Sequence, residues 1–519
     1  MLASCLSLIP GSGMRNPIRN RAVLFVLMLC FGIYGTTNAT ADSILPVDEI
    51  SIESLDRFIS LGTSYIVRIS HTREQDPSYE GKFTYIAYLS ENLPLDFTNP
   101  KKKEYNLLRH NGAIYSLSLS YARKPDDSVL DAMKRSVSYL KKFAIGPVPD
   151  VSEENGVSDD EKVSKLPTIP NLLAAWENSK ITGDNESAKA KLGGAGLALI
   201  ALVSLEQIEP GESNLGYLRQ IGEFIHFLQH ADGSFTCRYI PTEGGKDDSW
   251  DSLYYPGEAA LGLLYLASIE TDETYKEKWI SVATKALTYL ESIRRVQQLS
   301  EIEPDHWALL ATQRLLPLLD KNSKEYWLVY DHGVRVVKSM LTAHSKKELK
   351  EDYHGCFTGD KRTCPTATRL EGLIAALSFV QDTEMIVTEY EDMAERLVDR
   401  MRHDIRLGAR FLLESQETDE GNNMHGGVPV RFPALDHRSK EVRVDYVQHS
   451  MSAMIAYEKL LLSEEKLRRP SMRLRIPHLK ASSLDMNIPT AYIVVIVILA
   501  VLGVILFTSK KKKKGHKDV

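Results

Sequence analysis

Two kinds of apolar pattern alternate along the chain. In the first, nearly every position is Ala, Leu, Gly or Ile, as in Ala259-Ala260-Leu261-Gly262-Leu263-Leu264. A helix that is apolar all round must be buried, and small residues let its neighbours approach closely. In the second, apolar residues return at helical spacing among Lys and Glu: Trp279, Ile280, Val282, Ala283, Ala286, Leu287, Tyr289, Leu290 and Ile293 form one such stripe. That pattern marks a half-exposed helix. Stripes of this kind cover Asp127–Phe143, Leu215–His230, Thr274–Arg294, Glu325–Leu341 and Thr388–Leu413. Buried and half-exposed helices therefore alternate, at an irregular period of roughly 50 to 90 residues, as hairpins with inserted loops. Alternating Val, Ile and Thr runs are scarce, which argues against a large sheet. Ser64–Ser70 and Lys82–Leu89 read as strands and predict a small β-hairpin in the segment 42–100.

The six buried stretches open at Glu104–Gly112, Lys191–Gly194, Tyr254–Glu258, Glu303–Trp307, Thr366–Gly372 and Val444–His449, each with a cluster of polar, aromatic or charged residues. In a parallel inner ring these openings meet at one mouth and line a concave site. This arrangement resembles the (α/α) toroid and, within it, the six-hairpin glycosidase-like superfamily of carbohydrate-active proteins, over about Glu104–Leu462. Phe227-Leu228-Gln229-His230-Ala231-Asp232-Gly233-Ser234-Phe235, and Glu414-Ser415-Gln416 running to Gly426-Gly427-Val428-Pro429, look like the turns that close outer helices in toroids generally. Such turns also occur in terpenoid-cyclase and prenyltransferase toroids, so they speak to fold alone. An Asp-x-Asp-Asp cluster of the squalene-cyclase kind is absent from the sequence. The resemblance implies a mainly α protein, an (α/α)6-type toroid at 101–463, acting on or binding a glycan at its mouth.

The openings supply the candidate chemistry. Glu258 follows Pro256-Gly257 in a first turn, where a carboxylate is either a partner of the helix dipole or an acid aimed into the mouth. Trp250, Tyr254 and Tyr255 stand close by in the chain, and aromatic faces beside carboxylates suit a sugar. Asp305, His306 and Trp307 repeat the combination, with an N-cap as the alternative role for Asp305. Asp445 and His449 are four apart on one helical face, so the carboxylate could orient the imidazole, or the two could form a plain intrahelical pair. Glu258, Asp305, His306, Asp445 and His449 are the catalytic candidates. Tyr105, Arg109, His110, Trp250, Tyr255, Trp307, Arg369 and Glu371 are the substrate-binding ones. Arg109 and Arg369 suit a sugar carboxylate or phosphate, unless they pair with neighbouring helix starts, Arg369 with Asp305 for example.

Charge and cysteine usage narrow the picture. In 519 residues, 43% are hydrophobic and 25% charged, with a net charge of -6, so a large core is expected and a nucleic-acid footprint is not. No Cys-x-x-Cys or His-Glu-x-x-His spacing occurs, so neither a metal nor another cofactor is expected. Arg15, Arg19 and Arg21 precede an apolar run and Ala39-Thr40-Ala41, the pattern of a signal peptide over 1–41, with an uncleaved anchor as the alternative. Ala491–Phe507 is free of charge and runs into Lys510–Lys514. This predicts a transmembrane helix at 489–508 after a juxtamembrane linker at 464–488, with a basic cytoplasmic tail at 509–519 and the main domain periplasmic, lumenal or extracellular. Outside the cytoplasm, Cys356 and Cys364 would close a short loop as a disulfide. Pro147–Pro167, rich in Asp and Glu, reads as a mobile acidic loop. Two function classes emerge: a membrane-anchored glycosidase, lyase or epimerase working through carboxylate or His acid-base chemistry, and a noncatalytic glycan-binding or envelope assembly scaffold.

Overall fold

The computed structural model describes residues 50–89, 105–151, 160–163, 165–182, 187–348, 355–381 and 391–468. Contacts divide the chain into two units, Met1–Leu462 and Ser463–Val519. The helices and strands named below belong to the first unit, and its last helix runs on to Arg468. The signal, transmembrane and tail segments expected from the sequence lie outside the described residues. No helix among the described residues is long and apolar enough to cross a membrane.

The described residues contain twelve long helices in strict outer–inner alternation. The outer ones are α1 (Ile52–Ile69), α3 (Asp127–Phe143), α5 (Leu215–Phe227), α7 (Glu273–Arg294), α9 (Lys324–Glu348) and α11 (Glu391–Ser415). The inner ones are α2 (Leu107–Arg123), α4 (Leu192–Ile208), α6 (Tyr255–Ile269), α8 (His306–Leu315), α10 (Thr363–Val380) and α12 (Val444–Arg468). Consecutive inner helices pack side by side from α2 to α10. The pattern dictates the layering. Every residue of α4 from Leu192 to Leu205 is buried, whereas α1 buries only one face, through Leu55, Phe58, Ile59, Thr63, Ile66 and Ile69.

Glycine brings the inner helices close. A methyl group at Gly262 would lie 2.4 Å from the carbonyl oxygen of Gly196, and one at Gly257 would lie 2.6 Å from the amide nitrogen of Ala308. The arc α4–α6–α8 is thus packed backbone against backbone.

The predicted β-hairpin does not form. Ser64–Ile69 is the last third of α1, and the residues that read as alternating also satisfy the helical period that buries Ile66 and Ile69. Of the second run, only Ile86–Tyr88 becomes a strand, β1, and its partner is the distant β7 (Glu441–Arg443), antiparallel, with Ala87 opposite Val442. A five-stranded antiparallel sheet, not expected from the hydrophobic pattern, runs in the order β2 (Ile145–Pro149), β3 (Thr168–Glu177), β4 (Lys189–Lys191), β5 (Arg238–Ile240), β6 (Gly245–Asp247). Of the acidic segment, Pro147 and Pro149 belong to β2 and Asp160–Val163 is a helical turn, whereas 152–159 lie outside the described residues. Three of the five strands are three residues long, too short to show a period of two. Strands β4 and β7 run without a break into α4 and α12, fixing where those inner helices begin.

The two expected toroid turns are present. Gln229 bridges to Phe235 around Gly233, whose φ of 95° suits glycine, and Asp232 accepts the Ser234 amide at 3.0 Å. The Gln416 amide donates to Phe58 O at 3.0 Å and to Gly426 O at 3.2 Å, tying α11 to α1.

Candidate functional site

The inner helix starts meet at one end of the ring, and the pair at their centre is His306 with His449. Their rings lie edge to face with centroids 5.2 Å apart. Both are buried, at 3% and 4% exposure. Glu371, from the third turn of α10, lies 2.8 Å from His449 Nδ1 and 3.8 Å from His306 Nε2. The Ser452 hydroxyl donates to the other oxygen of Glu371. A carboxylate can only accept, so Nδ1 of His449 carries the hydrogen and, in the neutral ring, Nε2 carries the lone pair.

His306 is in the opposite condition. Neither ring nitrogen has a hydrogen-bond partner. Burial, followed by His449, Arg369 and Arg109, holds its pKa well below the usual histidine range, so it is neutral near pH 7. Trp307 and Tyr254 wall it in, with ring centroids at 4.7 and 5.6 Å. Buried nitrogens without partners are costly unless something else meets them.

These three side chains, His306, Glu371 and His449, are also spaced for a metal ion, with ligand atoms all within 4.8 Å of one another. Motif spacing missed the group because its members come from three different helices.

The first turn of α6 contributes a carboxylic acid. Glu258 is 2% exposed, one of its oxygens is unpartnered, and a methyl group at Gly193 would lie 1.9 Å from that oxygen. Glycine at the start of α4 therefore makes the room for the acid. Burial pushes the Glu258 pKa up to about 8, with Arg109 and Lys191 opposing and Asp305 adding to the rise. Arg109 is itself engaged by Asp445 at 3.1 Å and Lys191 by Glu177 at 2.7 Å. Asp445 thus serves Arg109 from the neighbouring helix, and the carboxylate partner of His449 is Glu371, not Asp445 as its i,i+4 spacing suggested.

Several predicted residues stand elsewhere. Asp305 caps α8, accepting the Ala308 amide at 3.0 Å, and its other oxygen takes Arg294 at 2.8 Å. The cap role is the one observed, and the Arg369–Asp305 pair does not form. His110 points away from the mouth: its Nε2 meets Ser136 O at 3.0 Å, its ring packs on Phe83 and Tyr105, and burial pulls its pKa down to about 4. Tyr105 shares that cluster with Tyr139. Tyr255 and Trp307 are buried at the mouth, whereas Trp250 is 37% exposed at the rim, its ring 5.5 Å from Tyr255 and under Arg238. Cys237, Cys356 and Cys364 form no disulfide. Cys356 Sγ points at Thr358 O, 2.8 Å away, whereas Cys364 is in the first turn of α10, where burial, Asp445 and Glu371 raise its pKa against the pull of Arg109. The two thiols face different surroundings, so the short loop between them does not close. Cys364, Lys191, Tyr254 and Ser452 are the site neighbours that the candidate set lacked.

The buried acid has a thermodynamic signature. A carboxyl whose pKa is raised from 4.5 unfolded to about 8 folded stabilises the fold fully below the lower value. That contribution is lost as pH rises through the upper one, at about 1.4 kcal/mol per pH unit inside the window. Glu258→Gln should therefore flatten the stability profile between those values and leave the variant more stable than the parent at pH 8. Chemical denaturation at a series of pH values measures this; an unchanged slope would mean that Glu258 is ionised throughout.

No protein-family profile matches the sequence, and no curated protein matches it. Solved structures do match. Cellobiose 2-epimerase from Bacillus thermoamylovorans B4167 superposes with a TM-score of 0.50 at 10% identity, over 79% of this chain and 99% of that one. A sugar epimerase from a ruminal bacterium gives 0.49 at 13% identity, over 79% and 99%. The α-1,6-mannanase of Salegentibacter sp. HEL1_6 gives 0.47 at 12% identity, over 78% and 99%. At such identities the likeness is one of fold: the chain is a six-hairpin (α/α)6 toroid, as cellobiose 2-epimerase is.

Proposed function

We propose that the protein is a sugar epimerase or isomerase that moves a proton at a carbon next to a carbonyl group, by means of His306 and His449. The observation that carries this reading is the imidazole pair: one ring oriented by Glu371, the other neutral with both nitrogens unpartnered, edge to face at 5.2 Å. A neutral imidazole accepts a proton from carbon, and the ring held by Glu371 is the one whose charged form is supported. The C–H electron pair then moves toward the carbonyl oxygen, which the protonated Glu258 is placed to meet with a hydrogen bond. Returning the proton to the other face, or to the neighbouring carbon, completes epimerisation or isomerisation. A hydrolase is the second reading, favoured by one observation: a buried carboxylic acid with a pKa of about 8 is a competent donor to a leaving oxygen.

Deuterium separates these readings. Full-length protein incubated with oligosaccharides in D2O, with and without a chelator, should place deuterium on one sugar carbon and create no new reducing ends. New reducing ends without exchange would establish the hydrolase instead. Ligand binding with neither outcome would leave a glycan-binding scaffold, and loss of exchange on chelation would reassign the His306, Glu371 and His449 trio to a metal.

The setting we propose is extracytoplasmic and membrane-anchored, on the strength of the Arg-flanked apolar run near the start of the sequence and Ala491–Phe507 followed by Lys510–Lys514. Protease added outside the membrane should digest the toroid and spare the Lys-rich tail; the reverse pattern overturns the orientation.

A further inference from the structure

Among the described residues, Arg369 forms no ion pair, although it lies near the mouth. It is in the second turn of α10 and partly buried. Its Nη1 donates to Pro365 O at 2.7 Å, and among the described residues Nε and Nη2 make no hydrogen bond and no carboxylate forms an ion pair with it. Glu371, two residues on, is held by His449 and Ser452, and Asp360 is taken by Arg362 at 2.8 Å and Arg431 at 3.7 Å. Around it Arg109 pairs with Asp445, Lys191 with Glu177 and Arg294 with Asp305. Arg369 therefore presents an unpaired edge near a 3%-exposed imidazole whose two nitrogens also lack hydrogen-bond partners.

We infer that the ligand brings the carboxylate of a uronate unit onto the open Nε–Nη2 edge of Arg369, within reach of His306. The open edge of a guanidinium offers two parallel donors, which match the two oxygens of a planar carboxylate. The inference rests on the proton-transfer reading for its chemistry, although not for binding. The carbon next to a carboxylate gives up its hydrogen reluctantly, because the electron pair must move onto a group that is already negative; Arg369 offsets that charge. The C–H pair enters the bond to the carboxyl carbon, the oxygens take the negative charge against the guanidinium, and reprotonation reverses both steps without any oxidant or reductant. A phosphate ester fills the charge requirement but has no such hydrogen.

The test is calorimetric binding to the full-length chain of three probes: a short galacturonate oligomer, the same oligomer with its carboxyls reduced to hydroxymethyl groups, and a neutral oligomer bearing phosphate esters. The acidic oligomer should bind about 10- to 100-fold tighter than its reduced form, the range expected for hydrogen bonds to a charged group. Arg369→Met should erase that preference, and Arg369→Lys should keep only part of it. Equal binding of acidic and reduced oligomers, no measurable binding of the acidic one, or tighter binding of the phosphorylated one overturns the inference. If Arg369→Met does not fold, an undiminished preference in Arg369→Lys overturns it as well. Deuterium exchange on the reduced oligomer with no acidic preference would leave the proton-transfer reading standing and remove this one. Tight acidic binding without exchange would do the opposite.

Discussion

His449→Ala and His306→Phe should each lower turnover by about 100- to 10,000-fold, the usual contribution of a positioned acid or base, and they should part company in stability. His449 holds a hydrogen bond to Glu371 at 2.8 Å, so its loss leaves a buried carboxylate with Ser452 alone. That variant should be less stable by about 1 to 3 kcal/mol. His306 makes no hydrogen bond, so phenylalanine removes two unsatisfied nitrogens and keeps an aromatic ring against Trp307 and Tyr254. Its melting temperature should hold or rise. Turnover and thermal unfolding of the two purified variants decide the matter. A His306→Phe protein that works normally, or that unfolds well before the parent, would make His306 a packing residue and leave the proton-transfer reading without its second group.

Asp305→Ala should do the reverse, destabilising the fold by about 3 to 5 kcal/mol, as when one partner of a buried ion pair is removed. Asp305 is 0% exposed and Arg294 5%, so the guanidinium would stay buried with only His332, at 2.9 Å, beside it. His332 brings no negative charge: burial and then Arg294 lower the pKa of that imidazole and keep it a neutral acceptor. The N-cap of α8 goes too, for about another 1 kcal/mol. Activity per folded molecule should stay within a few-fold of the parent, because His306 follows the cap but does not touch it chemically. Denaturant titration with parallel assays checks both. Full stability with lost activity would return Asp305 to the catalytic role its position in the sequence suggested.

These two residues also show how much of the site could be read from the chain. The inner helices were legible because their burial is uniform, and a run such as Leu192–Leu205 has one physical solution. Their starts were legible as the place where polarity gathers. The partners were not, because i,i+4 spacing reports contacts within a helix, whereas Glu371 reaches His449 on the next inner helix and Asp445 reaches Arg109 on another. Asp305 and His306 are adjacent, yet one faces Arg294 and the other the mouth, a division that a single turn of helix imposes and local pattern does not reveal. His110 shows the same limit: one residue after Arg109, it belongs to the cluster with Tyr139. The first outer helix was missed because Ser64–Ile69 satisfies both periods, and only its burial against the ring decides between them.

That first helix carries a consequence for how the molecule is made. A methyl group at Gly62 of α1 would lie 2.7 Å from Met451 Cγ of α12. Arg123 of α2 reaches Asp56 of α1 at 2.5 Å and Glu458 of α12 at 2.7 Å. Among the described helices, the one that a ribosome completes first therefore meets the one that it completes last. At ordinary rates of synthesis the apolar stripe of α1 waits on the order of tens of seconds for that neighbour. The growing polypeptide is an open crescent with a sticky leading edge throughout that interval. A holding chaperone that covers the Leu55–Ile69 face would shield the nascent chain until α12 arrives, and a fragment that stops short of Val444 should be the form that aggregates.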